Sequence, residues 1–135
     1  MANSDAKRFA DYLISEGVAT QVYVDDLPPD VGDAIAVINT GGFNPEPGLA
    51  IDYPTIEFLV RSTIEDSASN YNKALEIKNL LLGVFPITLD GVLYKSVTMI
   101  GDINWLGYDV NRRPMRSLNF KLIKENEPGS NRTPM

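Results

Sequence analysis

Apolar side chains recur at helical spacing close to the N-terminus, at Ala6, Phe9, Ala10 and Leu13. This i, i+3, i+4, i+7 pattern predicts an amphipathic helix with one buried stripe. Asn3 and Ser4 are good caps, Asp5 suits the first turn, and Gly17 is a natural stop. Val18–Val24 is β-branched and loosely alternating, which predicts a first strand. Asp25–Gly32 contains Pro28 and Pro29 and reads as a loop. The nearly all-apolar run Ala34–Asn39 has the character of a strand buried on both faces or in the middle of a sheet.

Thr40–Pro54 carries adjacent glycines and three prolines, so it is expected to be irregular over most of its length. Regular alternation resumes at Thr55–Ser62, with Ile56, Phe58 and Val60 on one face and Thr55, Glu57, Leu59 and Arg61 on the other. Asp66 or Ser67 caps a second helix that runs to about Leu82 and stops at Gly83. Tyr71, Ala74, Leu75, Ile77, Leu81 and Leu82 make its apolar sector, with Leu80 nearly opposite. Leu80 is therefore expected to be mildly exposed or to touch something outside the chain. Asp90-Gly91 between Pro86–Leu89 and Val92–Ile100 is a strong hairpin signal. Gly101–Arg113 reads as rich in turns, and Arg116–Lys124 alternates once more, with Leu118, Phe120 and Leu122 on one face.

The resulting order is α-β-β-β-α-β-β-β. It predicts a single α+β domain over residues 1–124, with a mixed or mainly antiparallel sheet and two helices packed on one face. Residues 125–135 hold no apolar residue before the final Met135 and are expected to form a disordered tail. Two helices on one face leave the other sheet face bare. Leu59, Leu80, Trp105 and Tyr108 then lack obvious partners, and burial between subunits would supply them.

Composition narrows the function classes. The 135 residues include no cysteine and no histidine. Disulfides, thiol nucleophiles, thiolate metal sites and the commonest general base are thereby absent. No calcium-loop spacing occurs, and Gly41-Gly42 lacks the lysine and following helix of a phosphate loop. No carboxylate pair stands out as an acid/base dyad; Asp5, Asp11 and Glu16 read as a solvated helix face. These features predict no enzyme, no cofactor and no metal. A net charge of −6 argues against gripping a phosphate backbone. The apolar run Leu80–Pro86 is too short to span a bilayer, and the N-terminus has no signal-peptide core, so assembly in the cytoplasm is expected.

Seven residues are the candidates for a subunit or partner interface. Arg61 ends its strand either as an exposed charge or as the ion-pair partner of Asp109 or of a neighbouring subunit. Asp109, with Arg112 and Arg113 in the same turn, either satisfies local backbone donors or pairs between subunits. Leu80, the lone Trp105 and Tyr108 complete the set. Within the irregular stretch, Phe43, Asn44, Glu46 and Leu49 are candidates for a docking loop.

Four features in order resemble the tail terminator family of long-tailed bacteriophages, also known as tail completion or tail-to-head joining proteins and as minor capsid proteins. An amphipathic helix precedes a strand, and Ala34–Asn39 runs into Gly41-Gly42. Tyr53-Pro54-x-Ile56-x-Phe58-x-Val60-Arg61 leads to a helix with Tyr71, Ala74 and Leu80-Leu81-x-Gly83. Gly91-x-x-Tyr94, Gly107-Tyr108-Asp109 and Arg112 then precede a strand ending Asn119-Phe120-x-Leu122. The resemblance covers residues 5–124; the Pro-rich segment Asn44–Gly48 and the polar tail depart from it.

The resemblance implies a non-enzymatic virion protein of the tail and neck. It would form a homo-oligomeric ring, typically a hexamer, on the tail tube protein and dock to a head-completion or connector protein. DNA would pass through its channel without specific binding, and no membrane is involved. A head-completion protein on the connector side is the alternative, and a small cytoplasmic ligand-binding domain a more remote one.

Overall fold

Ser4 opens the first helix by accepting the Lys7 amide on its hydroxyl, and α1 runs Asp5–Ser15. The chain turns at Gly17, whose φ of +78° is the left-handed conformation that ends helices. A computed structural model describes residues 3–29, 32–46, 50–63, 65–83 and 85–125. Leu49 and residues 126–135 of the expected tail 125–135 lie outside the described residues, while Glu125 is not part of a tail but the last residue of a strand. The remaining elements are β1 (Tyr23–Val24), β2 (Ala34–Glu46), β3 (Ile51–Arg61), α2 (Ser67–Leu82), β4 (Ile87–Leu89), β5 (Val92–Tyr108) and β6 (Pro114–Glu125). That is the order expected from the sequence.

The strands form one six-stranded mixed sheet in the order β1-β2-β3-β6-β5-β4, with β1 parallel to β2 and every other pair antiparallel. Register places Val37 opposite Phe58, Phe58 opposite Leu118, and Ile56 opposite Phe120. These side chains share a face with Phe9, Leu13, Ala74, Ile77 and Leu81 of the helices in one core. The α+β prediction, with both helices on one face, therefore holds. Phe58 and Phe120 meet edge to face at 5.5 Å in its centre.

Three strand readings are corrected. Strand β1 is two residues long rather than seven, because Val18 and Val22 turn into the core. Thr40–Pro54 is largely a β-hairpin arm: β2 continues to Glu46 and β3 begins at Ile51. A bulge between Asn39 and Gly42 absorbs the glycines, and a second between Phe43 and Glu46 takes in Pro45. Past Asn39, β2 is an edge strand, where Pro45 interrupts no ladder on its free side. Likewise Gly101–Tyr108 is not a run of turns; it extends β5 through bulges at Gly101 and Gly107.

The buried stripe of α2 is Asn70, Ala74, Ile77 and Leu81, rotated from the predicted sector by the polar residue at its head. Tyr71 and Leu82 are exposed, whereas Leu80 is half-buried against the core rather than facing outward. Asp66 caps α2 by accepting the Ser69 amide, and the helix ends at Gly83 as expected.

Asp5 is not part of a solvated face. Its carboxylate accepts from the Tyr94 hydroxyl at 2.6 Å and from Lys124 at 2.8 Å, beneath α1, with Arg8 alongside. Burial first, then the Asp5 charge, pushes the Tyr94 hydroxyl far above the usual phenol range.

Candidate functional site

The most built surface feature lies where β5 ends, the chain turns, and β6 begins beside the start of α2. The bulge at Gly107 inserts one residue, so Trp105 and Tyr108, three apart in sequence, stand on the same face of β5. Their rings meet edge to face at 5.3 Å. Arg112 lies over the Tyr108 ring at 4.2 Å, and Arg116 lies over Trp105 at 4.7 Å and over Tyr71 at 5.3 Å. Trp105, Leu106 and Tyr71 are about half exposed, and Val110 at the tip of the turn is 98% exposed.

Asp109 shapes this turn. Its Oδ1 accepts the amides of Asn111 and Arg113, each at 2.9 Å, and its Oδ2 accepts the Arg113 side chain at 2.8 Å. The Arg113 amide, then the Asn111 amide and the Arg113 side chain, hold the Asp109 carboxyl below the usual range. The turn is tied to the start of α2 through the Glu65 amide on the Arg112 carbonyl and an exposed Arg112–Glu65 ion pair at 3.4 Å. Arg116 donates to the Ser67 carbonyl and to Asn70.

The fold thus gathers Trp105, Tyr108, Asp109, Arg112 and Arg113 into one corner. It separates Arg61 and Leu80 from them. Arg61 is 4% exposed and neither an exposed charge nor a partner of Asp109; it donates to the Pro28 and Gly32 carbonyls between β1 and β2. Tyr71, Leu106, Val110 and Arg116 belong to the corner but escaped the sequence reading. For Arg116 a signal existed: it alternates in phase with Leu118 and Phe120, and an arginine at an inward position needs partners.

The sheet face away from the helices is a second candidate surface. Ile38, Tyr53, Leu59, Ile100, Met115 and Ile123 lie half-buried or exposed on it, with no covering layer among the described residues. Of the docking-loop candidates, Phe43, Asn44 and Glu46 sit at its far end as part of the hairpin arm. Phe43 is 57% exposed, Lys121 lies over its ring at 4.8 Å, and Glu46 accepts from the Tyr53 hydroxyl. Asn44 is exposed. Glu57, also on this face, has its carboxyl pushed up by burial.

An open groove of about 400 Å³ runs past Val18, Tyr23, Arg61 and Lys73. Its cations already serve the fold, since Lys73 donates to the Val18 carbonyl and Glu76 and Arg61 to the β1–β2 loop. Among the described residues, no group of three or more Asp or Glu side chains is placed to hold a metal ion, and no helix is long and apolar enough to cross a membrane.

A family model described as bacteriophage tail terminator protein matches residues 12–126. The chain belongs to the bacteriophage tail terminator family. Membership makes it a structural component of the phage tail. No curated protein matches the chain. The match spans β1 to β6, and so takes in both the aromatic–arginine corner and the bare sheet face of this tail terminator.

Proposed function

We propose that this tail terminator closes the finished tail tube as a ring of identical copies, six in number, and joins it to the head connector. No step of this role is chemical. The tail terminator contributes shape, apolar surface and charge, not catalysis. The observation that carries the reading is the face of the sheet away from the helices, where apolar side chains from β2, β3, β5 and β6 stand without cover from any described residue. A domain of this size with such a surface gains from contact with further protein. Heterologous contacts that close on themselves give a ring and bury one patch per copy against a different patch of the next.

The channel of such a ring would pass DNA. A chain with net charge −6, repeated around the bore, repels the phosphate backbone and lets it slide. The hairpin arm, with Phe43 and Asn44 at its exposed end, is the element we assign to docking on the tube or connector. Assembly takes place in the host cytoplasm, and the protein ends in the virion neck.

Sedimentation and electron microscopy of the purified protein, alone and with isolated tail tubes, test this reading. The expected result is a closed ring at the tube end. Tubes that never acquire a ring overturn it. Co-purification with filled heads rather than tubes would instead place the protein on the connector side.

A further inference from the structure

The charges of this chain are sorted across the sheet. Between Phe9 and Val60 there is no lysine or arginine, while that stretch holds nine of the 18 acidic residues. Nine of the 12 cations lie between Arg61 and Glu125. With the whole chain at −6, residues 9–60 carry −9 and the remainder +3. Strand order turns this sequence division into a spatial one. Residues 9–60 supply most of α1, with β1, β2 and nearly all of β3, one half of the sheet. Lys95, Arg112, Arg113, Arg116, Lys121 and Lys124 lie on or between β5 and β6, while Arg61 ends β3 and Lys73 and Lys78 stand on α2.

On the acidic margin, Asp25, Asp26 and Asp33 flank the β1–β2 loop and are all exposed. Asp25 accepts from the Asn39 amide and side chain rather than from a cation. Among the described residues, no lysine or arginine forms an ion pair with any of the three. On the opposite margin stands the corner of Trp105, Tyr108 and Arg112, whose guanidinium has only the solvent-exposed Glu65 as an ion-pair partner among the described residues. From β1 to β5 is four strand spacings, about 19 Å at 4.8 Å each. That is about twice the screening length in physiological salt, so the two margins do not neutralise one another through water.

We infer that the Trp105–Tyr108–Arg112 corner of one copy docks on the Asp25–Asp26–Asp33 margin of the next copy, head to tail. A two-fold contact of the acidic margin with itself would set like charges face to face, which costs free energy. Contact between unlike margins joins opposite charges and buries the exposed aromatic pair. Tryptophan, tyrosine and arginine together are the side chains that dominate interface energetics. Since each copy has one margin of each kind at opposite ends of its sheet, the contact repeats in one direction only. That is the geometry a ring requires. The inference rests on the ring reading and names the surfaces that would build it.

Charge reversal and mixing test it, by sedimentation of the full chain in solution and on tail tubes. Arg112→Glu and the pair Asp26→Lys/Asp33→Lys all replace exposed side chains, and circular dichroism checks that each variant keeps its fold. Each variant alone is expected to self-associate about tenfold more weakly than the natural chain. Association of the natural chain should weaken as salt rises. An equimolar mixture of the two variants should recover association, because alternating copies again place opposite charges at every contact. Rings that form from each variant alone with unchanged strength overturn the inference and leave the ring reading standing. So does a mixture that stays as weak as its components. A natural chain that remains single both in solution and on tubes overturns both.

Discussion

Arg116 and Trp105 face one another across the β5–β6 ladder, with the guanidinium 4.7 Å from the indole ring centre. The same arginine reaches the Ser67 carbonyl and Asn70 at the start of α2. One side chain therefore ties the surface aromatic corner to the helix that covers the core. The indole itself is 48% exposed, so its outer face is free for a partner while its inner face is held.

Trp105 is the sole tryptophan, so its fluorescence reports on this corner alone. On ring formation or tube binding, its emission should move to shorter wavelength and become harder for iodide to quench. Trp105→Ala should cost the isolated chain only about 1 kcal/mol, as expected for a half-exposed cation–π contact. The same change should weaken assembly at least tenfold. Equal losses in folding and in assembly would mean that the corner is merely structural.

Asn70 is the polar residue on which α2 turns. It is fully buried, donates to the Val60 carbonyl at 2.8 Å and the Ser62 hydroxyl at 3.2 Å, and accepts from Arg116 at 3.0 Å. Asn70→Ala strands a buried carbonyl and removes an acceptor from a charged donor. The expected loss is about 1–3 kcal/mol, read as a lower urea midpoint with an unchanged slope.

How far the sequence speaks depends on whether a signal is local. Asp66 as cap, Gly83 as stop and the Asp90-Gly91 turn are local, and each forms where read; both turn residues take positive φ, at +53° and +78°. The two long strand extensions were not legible in this way. Gly41-Gly42, Gly101 and Gly107 look like breakers in isolation, yet pairing with β3 or β6 turns each into a bulge inside a strand. Asp5 was misread for a related reason: its partners Tyr94 and Lys124 are about ninety and 120 residues away. Within the candidate site, the residues close in sequence, Trp105 to Arg113, could be grouped in advance. Tyr71 and Arg116 reach the corner only through tertiary packing.

Glu57 should give the fold a pH signature. It lies opposite Ile38 and Asn119 on the bare sheet face, and burial raises its carboxyl above the ordinary 4.5. A raised carboxyl favours the protonated folded form. Its stabilising contribution is complete below the unfolded value and is lost as pH rises through the folded one. Glu57→Gln removes that loss. The variant should be more stable than the natural chain at pH 7 and nearly equal to it at pH 3.5, in urea titrations at both values. A natural chain as stable as the variant at pH 7 would show that Glu57 carries no such penalty.

Gly42 and Gly101 both take positive φ within strands, at +140° and +73°, but only one is crowded. A Cβ on Gly42 would sit 2.4 Å from the Tyr53 carbonyl oxygen and 2.6 Å from the Pro54 Cα, both backbone atoms of the paired strand. A Cβ on Gly101 meets nothing within 4 Å. Gly101→Ala should therefore cost only the backbone strain, about 1 kcal/mol. Gly42→Ala adds a clash that the β2–β3 ladder can relieve only by opening the hairpin arm beyond Asn39. The loss of amide protection in hydrogen exchange should then be confined to the arm, with the core strands unaffected. Because the arm carries Phe43 and Asn44, tube docking should fall in Gly42→Ala but not in Gly101→Ala. Equal docking by the two variants would remove the arm from the interface.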